Sequence, residues 1–199
     1  TTITMLTTIY MVFIWAPIEI NQGLIQKAFY FHVPMAWVAF LAFFIVFISG
    51  IGYLITRKNS WDQLAFSAAE IGVLFTTLVL ITGSIWAKPT WGVWWQWEPR
   101  LTTSLILWII YIAYLMLRAY SPSSDQAARY AAVLGIIGFI DVPIVYFSVV
   151  WWRNIHPLLM GPLSEEGSEL AGSMVITLNV GVLTFTLLFA YLLVERYRL

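Results

Sequence analysis

Four tryptophans fall within seven residues of one short segment. Lys88 to Thr102 reads KPTWGVWWQWEPRLT, so that Trp91, Trp94, Trp95 and Trp97 are followed at once by Glu98 and Arg100. Trp91, Trp94, Trp95 and Glu98 stand at i, i+3, i+4 and i+7, the spacing of one helical face. Thr90 is placed to cap such a helix, and Pro99 to end it and open the next one as its first residue. The pattern predicts a short amphipathic helix lying in a membrane interface with an aromatic face. Single tryptophans at helix ends commonly form an aromatic belt that only anchors a protein at the interface. This cluster exceeds what anchoring requires. Indole rings packed side by side form a platform for a large planar ring, through offset and edge contacts, with Glu98 and Arg100 flanking it.

The chain has two histidines, His32 and His156, and no cysteine. Thiolate metal sites, iron–sulfur clusters and dithiol redox chemistry are thereby excluded. Alone, an interfacial histidine commonly just meets water or a carbonyl. These two lie at the ends of apolar spans on either flank of the Trp segment. A planar tetrapyrrole takes one axial ligand from each face, and imidazole is a standard ligand of haem iron. Arg100, Arg153 and Lys88 are the nearby cations that could pair the propionates of a haem, against ordinary snorkelling at an interface. Zinc is a weaker reading. Glu165, Glu166 and Glu169 could join the histidines, but no HxxxH spacing exists, and such an acidic run ordinarily keeps a loop solvated.

The elements that must position these residues are membrane spans. Hydrophobic residues make up 61% of the 199 residues and charged ones 10%, with a mean hydropathy of +0.84. A globular chain carries about 25% charged residues. The zero net charge argues against nucleic acid, which demands a basic surface. Six uncharged stretches of spanning character lie at about 3–16, 33–55, 71–87, 101–117, 130–152 and 170–194. We read them as one all-α domain, 1–199, of six transmembrane helices, with the short Trp-rich helix in the third loop. Continuous apolar runs of this length satisfy their backbone groups in lipid only as helices. The first span is short, and the chain opens on Thr1, so we read it as clipped. Its start lacks the basic region and cleavage site of a signal peptide.

Basic residues assign the sides. Arg57, Lys58, Arg118, Arg129, Arg196 and Arg198 lie in the even-numbered loops and the C-terminal tail, against Asp62, Asp125 and Glu195. The odd loops hold Lys27, Lys88, Arg100 and Arg153 against Glu19, Glu98, Glu165, Glu166 and Glu169. Both termini are then cytoplasmic and the odd loops face outward. Eight of the eleven tryptophans and both histidines fall on the outward side, so the chemistry is concentrated at one membrane face. Asp141 lies inside the fifth span, two residues before Pro143, and we expect it to bond carbonyls freed by a proline kink. Glu70 begins the third span, where a helix dipole favours an acid.

The segment WGVWWQWEPRLT resembles the WWD motif of haem-handling proteins, usually WGxWWxWDxRLT, on Trp91, Gly92, Trp94, Trp95, Trp97, Glu98 and Arg100. Glu98 stands where the motif usually has aspartate, and Pro99 fills a variable position. TGSIWAKPT at Thr82 to Thr90, FHVPMAW at Phe31 to Trp37 and DVPIVYFSVVWWRNIHP at Asp141 to Pro157 resemble the same family. The six-span size and single flanking histidines match the haem exporter protein C (CcmC) family. That resemblance implies haem b held as transient cargo by His32 and His156 at the periplasmic face of a bacterial inner membrane. It also implies delivery to a periplasmic haem chaperone, CcmE, beside an ABC transporter of CcmA and CcmB with a small CcmD. Such a protein is not an enzyme, and the chain has no nucleotide-binding loop of its own. Two rivals remain: a b-type cytochrome subunit carrying electrons, and a channel moving haem through the bundle itself.

Overall fold

The structure, a computed structural model, describes residues 1–20, 22–120, 124–152, 156 and 171–199. Helix α1, Thr2–Tyr10, continues as a wider π turn through Met11–Trp15, and a 3-10 turn at Leu24–Ala28 feeds α2, Phe29–Thr56. There follow α3 (Asn59–Trp91), α4 (Pro99–Tyr120), α5 (Ser124–Phe139), α6 (Asp141–Trp152) and α7 (Gly172–Arg198). Among the described residues five helical segments are long and apolar enough to cross a membrane: Leu24–Thr56, Asn59–Trp91, Pro99–Tyr120, Asp125–Trp152 and Gly172–Arg198. Thr2–Trp15 is apolar but shorter, below the roughly 20 residues that a hydrocarbon core of about 30 Å requires.

The helices overrun the apolar stretches that announce them. Hydropathy marks the third span at 71–87, whereas α3 covers 33 residues, about 50 Å at ~1.5 Å per residue. Its polar ends continue the helix beyond the lipid-like stretch. Glu70 therefore lies well inside α3 rather than at a helix start. It pairs with Arg196 near the end of α7 at 2.6 Å, so an ion pair and not a helix dipole accounts for it.

Small residues set how closely the helices approach. Ala65, Ala68, Ala69 and Gly72 of α3 are buried against α2, the small-residue face that membrane helices use to pack. A Cβ added at Gly72 would lie 2.5 Å from the Phe43 ring. Phe43 in turn stacks on Tyr111 of α4, with centroids 3.7 Å apart. The fifth apolar segment breaks at Ile140, between α5 and α6. Pro143 has no N–H, and its ring crowds the carbonyl four residues back, at Phe139. Asp141 does not satisfy the break as expected. Its Oδ2 is buried without a partner among the described residues.

Candidate functional site

At the Trp-loop end of the bundle the helices enclose a cavity of about 310 Å³, at the small end of the ~300–1,000 Å³ range of ligand pockets. His32, Trp86, Trp91, Trp95, Arg100 and His156 line it at that end. The apolar side chains of Ala36, Val79, Leu107 and Val145 line it as well. The chain's two histidines thus share one cavity, although 123 residues separate them in sequence.

His32 stands in the first turns of α2 and is 7% exposed. Its position follows from two unusual neighbours. Pro34 cannot bond the Tyr30 carbonyl, and α7 packs over that free oxygen through Gly181, where an added Cβ would lie 3.1 Å from it. On the other side the ring lies against α3. Its Nδ1 is 2.9 Å from the Thr82 hydroxyl oxygen, an added Cβ at Gly83 would reach within 3.0 Å of its Cε1, and Trp86 meets it edge to face at 5.8 Å. The Trp86 N–H donates to the Gln22 side-chain oxygen at 3.2 Å, which brings the first loop over the same cavity.

The Trp segment does not form the short helix that its spacing suggests. α3 runs through Thr90, whose hydroxyl donates to the Trp86 carbonyl instead of capping a new helix. The helix ends at Gly92, in the left-handed region with φ 79°, where its N–H bonds the Lys88 carbonyl at 3.0 Å. This is a glycine C-cap, and other residues are strained there. Pro99 opens α4 as expected and disfavours helical backbone at the residue before it. Residues 92–98, held between these two signals, are irregular. The four tryptophans therefore divide rather than form one face. Trp91 and Trp95 line the cavity, Trp91 edge to face with His156 at 6.0 Å. Trp94 and Trp97 are 58% and 75% exposed.

Glu98 is engaged with the backbone. Its Oε1 accepts from the Leu101 N–H at 2.7 Å, the bond of an N-cap residue to the third residue of its helix. Burial raises the pKa of this carboxyl, while the Leu101 and Arg100 amides and the Arg100 charge hold it down. Glu98→Ala is expected to cost about 0.5–2 kcal/mol of stability, and Glu98→Asp to keep most of it. Thermal unfolding of the detergent-solubilised variants checks both.

Of the three expected cations, Arg100 lines the cavity. Lys88 is exposed and donates to the Gly92 carbonyl at 2.8 Å, bracing the helix end. Arg153 lies outside the described residues, as do Glu165, Glu166 and Glu169. Among the described residues no group of three acids and histidines could hold a metal ion. His156 is half-buried, and burial, with the Arg100 and His32 charges added, holds its imidazole well below the ordinary value. Neutral nitrogen is the ligating form. The indole nitrogen of Trp95 is buried without a partner among the described residues. Gln22, Thr82 and Gly83 complete the site unannounced. Gln22 carries no sequence signal, and Thr82 and Gly83 show only as the start of TGSIWAKPT.

Fold and cavity together define a membrane protein of apolar helices with a ligand-sized pocket at one end of the bundle. The whole chain, residues 1–199, matches CcmC, heme exporter protein C. It is 40% identical to heme exporter protein C of Bradyrhizobium diazoefficiens, over 89% of this chain and 67% of that one. Its identity to heme exporter protein C of Haemophilus influenzae is 35%, over 93% and 75% of the two chains. A putative cytochrome c biosynthesis ccmC-like mitochondrial protein of Arabidopsis thaliana is 33% identical, over 92% and 69%. The chain belongs to the heme exporter protein C family, and its role is in haem handling for cytochrome c maturation.

Proposed function

We propose that this chain binds haem b as transient cargo at the periplasmic face of a bacterial inner membrane and presents it to the haem chaperone CcmE. The observation that carries this reading is the meeting of His32 and His156, the chain's two histidines, on one cavity with Arg100 and three indoles. His32 and His156 supply the axial nitrogens. Trp91 and Trp95 pack against the ring, and the Arg100 guanidinium and the free Trp95 N–H pair propionate oxygens. Lys88 and Arg153 are further propionate partners in this reading. Gly92 and the Glu98 cap hold the loop in shape, leaving Trp94 and Trp97 at its exposed face.

In this reading Thr2–Trp15 is the first of six spans, both termini are cytoplasmic, and the Trp loop faces the periplasm. ATP-dependent work belongs to partners, the transporter subunits CcmA and CcmB, with CcmD as a small companion. A b-type cytochrome subunit is disfavoured by the family and by histidines gathered at one end of the bundle.

The test is a haem titration of detergent-purified protein followed by its optical spectrum. We expect saturable binding and a low-spin spectrum. Since His156 is held neutral, that spectrum should persist as pH falls below ~6.5, where a free imidazole begins to protonate. No uptake of haem, or a high-spin spectrum at neutral pH, would overturn the proposal.

A further inference from the structure

The contact between His32 and Thr82 fixes more than a position. A threonine hydroxyl has one hydrogen to donate and two lone pairs. In α3 the Thr82 oxygen lies 2.7 Å from the Leu78 carbonyl oxygen, the back-bond that a helical threonine makes four residues earlier. Two oxygens at that distance need the hydrogen between them. The lone pairs of the Thr82 oxygen are then what faces His32 Nδ1, 2.9 Å away. Such a contact is attractive only if Nδ1 carries a proton. The reverse arrangement, with the hydroxyl donating to Nδ1, would leave the Leu78 and Thr82 oxygens facing each other with no hydrogen shared.

We propose that Thr82 is a positioning residue that holds His32 as the Nδ1–H tautomer, so that the Nε2 lone pair is turned to the cavity as the ligating atom. Three residues of α3 act on the ring together. Thr82 binds Nδ1, Gly83 leaves room for Cε1, and Trp86 closes on the ring edge to face. A half-turn of the imidazole would put a carbon against the Thr82 oxygen and forfeit the bond. Ligating histidines are commonly oriented through the other ring nitrogen by an acceptor of this kind. Here the acceptor is a hydroxyl whose own hydrogen is committed to the helix backbone, so its role as acceptor is set by secondary structure.

The use of Nε2 as a ligand rests on the haem-binding reading above, but the tautomer does not, and it is measurable without haem. Nitrogen NMR of haem-free, 15N-histidine-labelled protein, with His156→Gln to assign the two rings, reads which His32 nitrogen is protonated. We expect Nδ1–H in the wild type and in Thr82→Ser, and its loss in the isosteric Thr82→Val. A wild type protonated at Nε2, or a Thr82→Val protein that keeps Nδ1–H, would overturn the assignment. In haem titrations Thr82→Val is expected to weaken binding roughly 10–100-fold, the usual cost of losing an outer partner of a ligand, with Thr82→Ser restoring it. Equal affinity in three proteins that do take up haem would overturn the positioning role of Thr82. A wild type that shows the Nδ1–H signal but takes up no haem would sink the haem reading and leave the tautomer assignment standing.

Discussion

Haem titrated into His32→Ala or His156→Ala protein is expected to lose the low-spin spectrum of the wild type and to bind more weakly. The loss should be at least the roughly 10–100-fold that removing an outer partner of a ligand costs, because here the ligand itself is gone. Each variant keeps one axial imidazole, so bound haem should be high-spin rather than absent. Removing the side chain at 32 also leaves a gap beside Gly83 and Trp86, which packed against that ring. Added imidazole should fill this gap and restore the low-spin spectrum in His32→Ala. The double variant should show no axial ligation at all. Unchanged spectra in both single variants would mean that the two histidines share a cavity for reasons other than iron, and the proposed ligation would have to be given up.

The largest stability effect is expected at the opposite end of the bundle. Asp62 and Arg118 form a two-pronged pair at 2.8 and 2.9 Å, with side chains 8% and 18% exposed. Phe66 lies 5.3 Å from the Arg118 guanidinium and 5.5 Å from that of Arg196. Removing one member of a buried pair strands the other charge, at a cost of about 3–5 kcal/mol. Asp62→Ala should lose that much in denaturant unfolding in mixed micelles. Replacing both members with leucine should cost far less, since no charge is then left uncompensated. Glu70 and Arg196, each about one-third exposed, provide the internal control, with an expected loss near 0–1 kcal/mol for an exposed pair. Equal losses at the two pairs would show that burial does not govern them.

The apolar spans were legible because lipid permits few ways to satisfy a backbone, and long uncharged runs announce the commonest of them. Their ends were not. Helices such as α3 and α7 continue on hydrogen bonds and ion pairs into residues that hydropathy scores as loop. The Trp segment shows a sharper failure. Four tryptophans in seven residues satisfy a helical spacing almost by their density, while the decisive signals are Gly92 and Pro99, one on each side. The first ends a helix and the second resists helix at Glu98, and with α3 running on through Thr90 there is no cap at that position. Glu98 then serves as the cap of α4, a use that a carboxylate before proline at a helix start could have suggested.

Residue types and their clustering, read from the sequence alone, determined that this is a helical membrane protein with aromatic and imidazole chemistry gathered at one end. Composition and the demands of lipid leave little choice there, and the WWD-like segment carries the family with it. Only the tertiary structure decided which of those residues meet. Trp91 and Trp95 turn to the cavity while Trp94 and Trp97 turn away, Arg100 enters it while Lys88 braces a helix end, and His32 finds Thr82, fifty residues along the chain. Such pairings depend on where α2, α3 and α4 cross. The crossings are set by contacts between small residues and rings, such as Gly72 on Phe43 and Gly181 on the Tyr30 carbonyl, which no local pattern in the chain encodes.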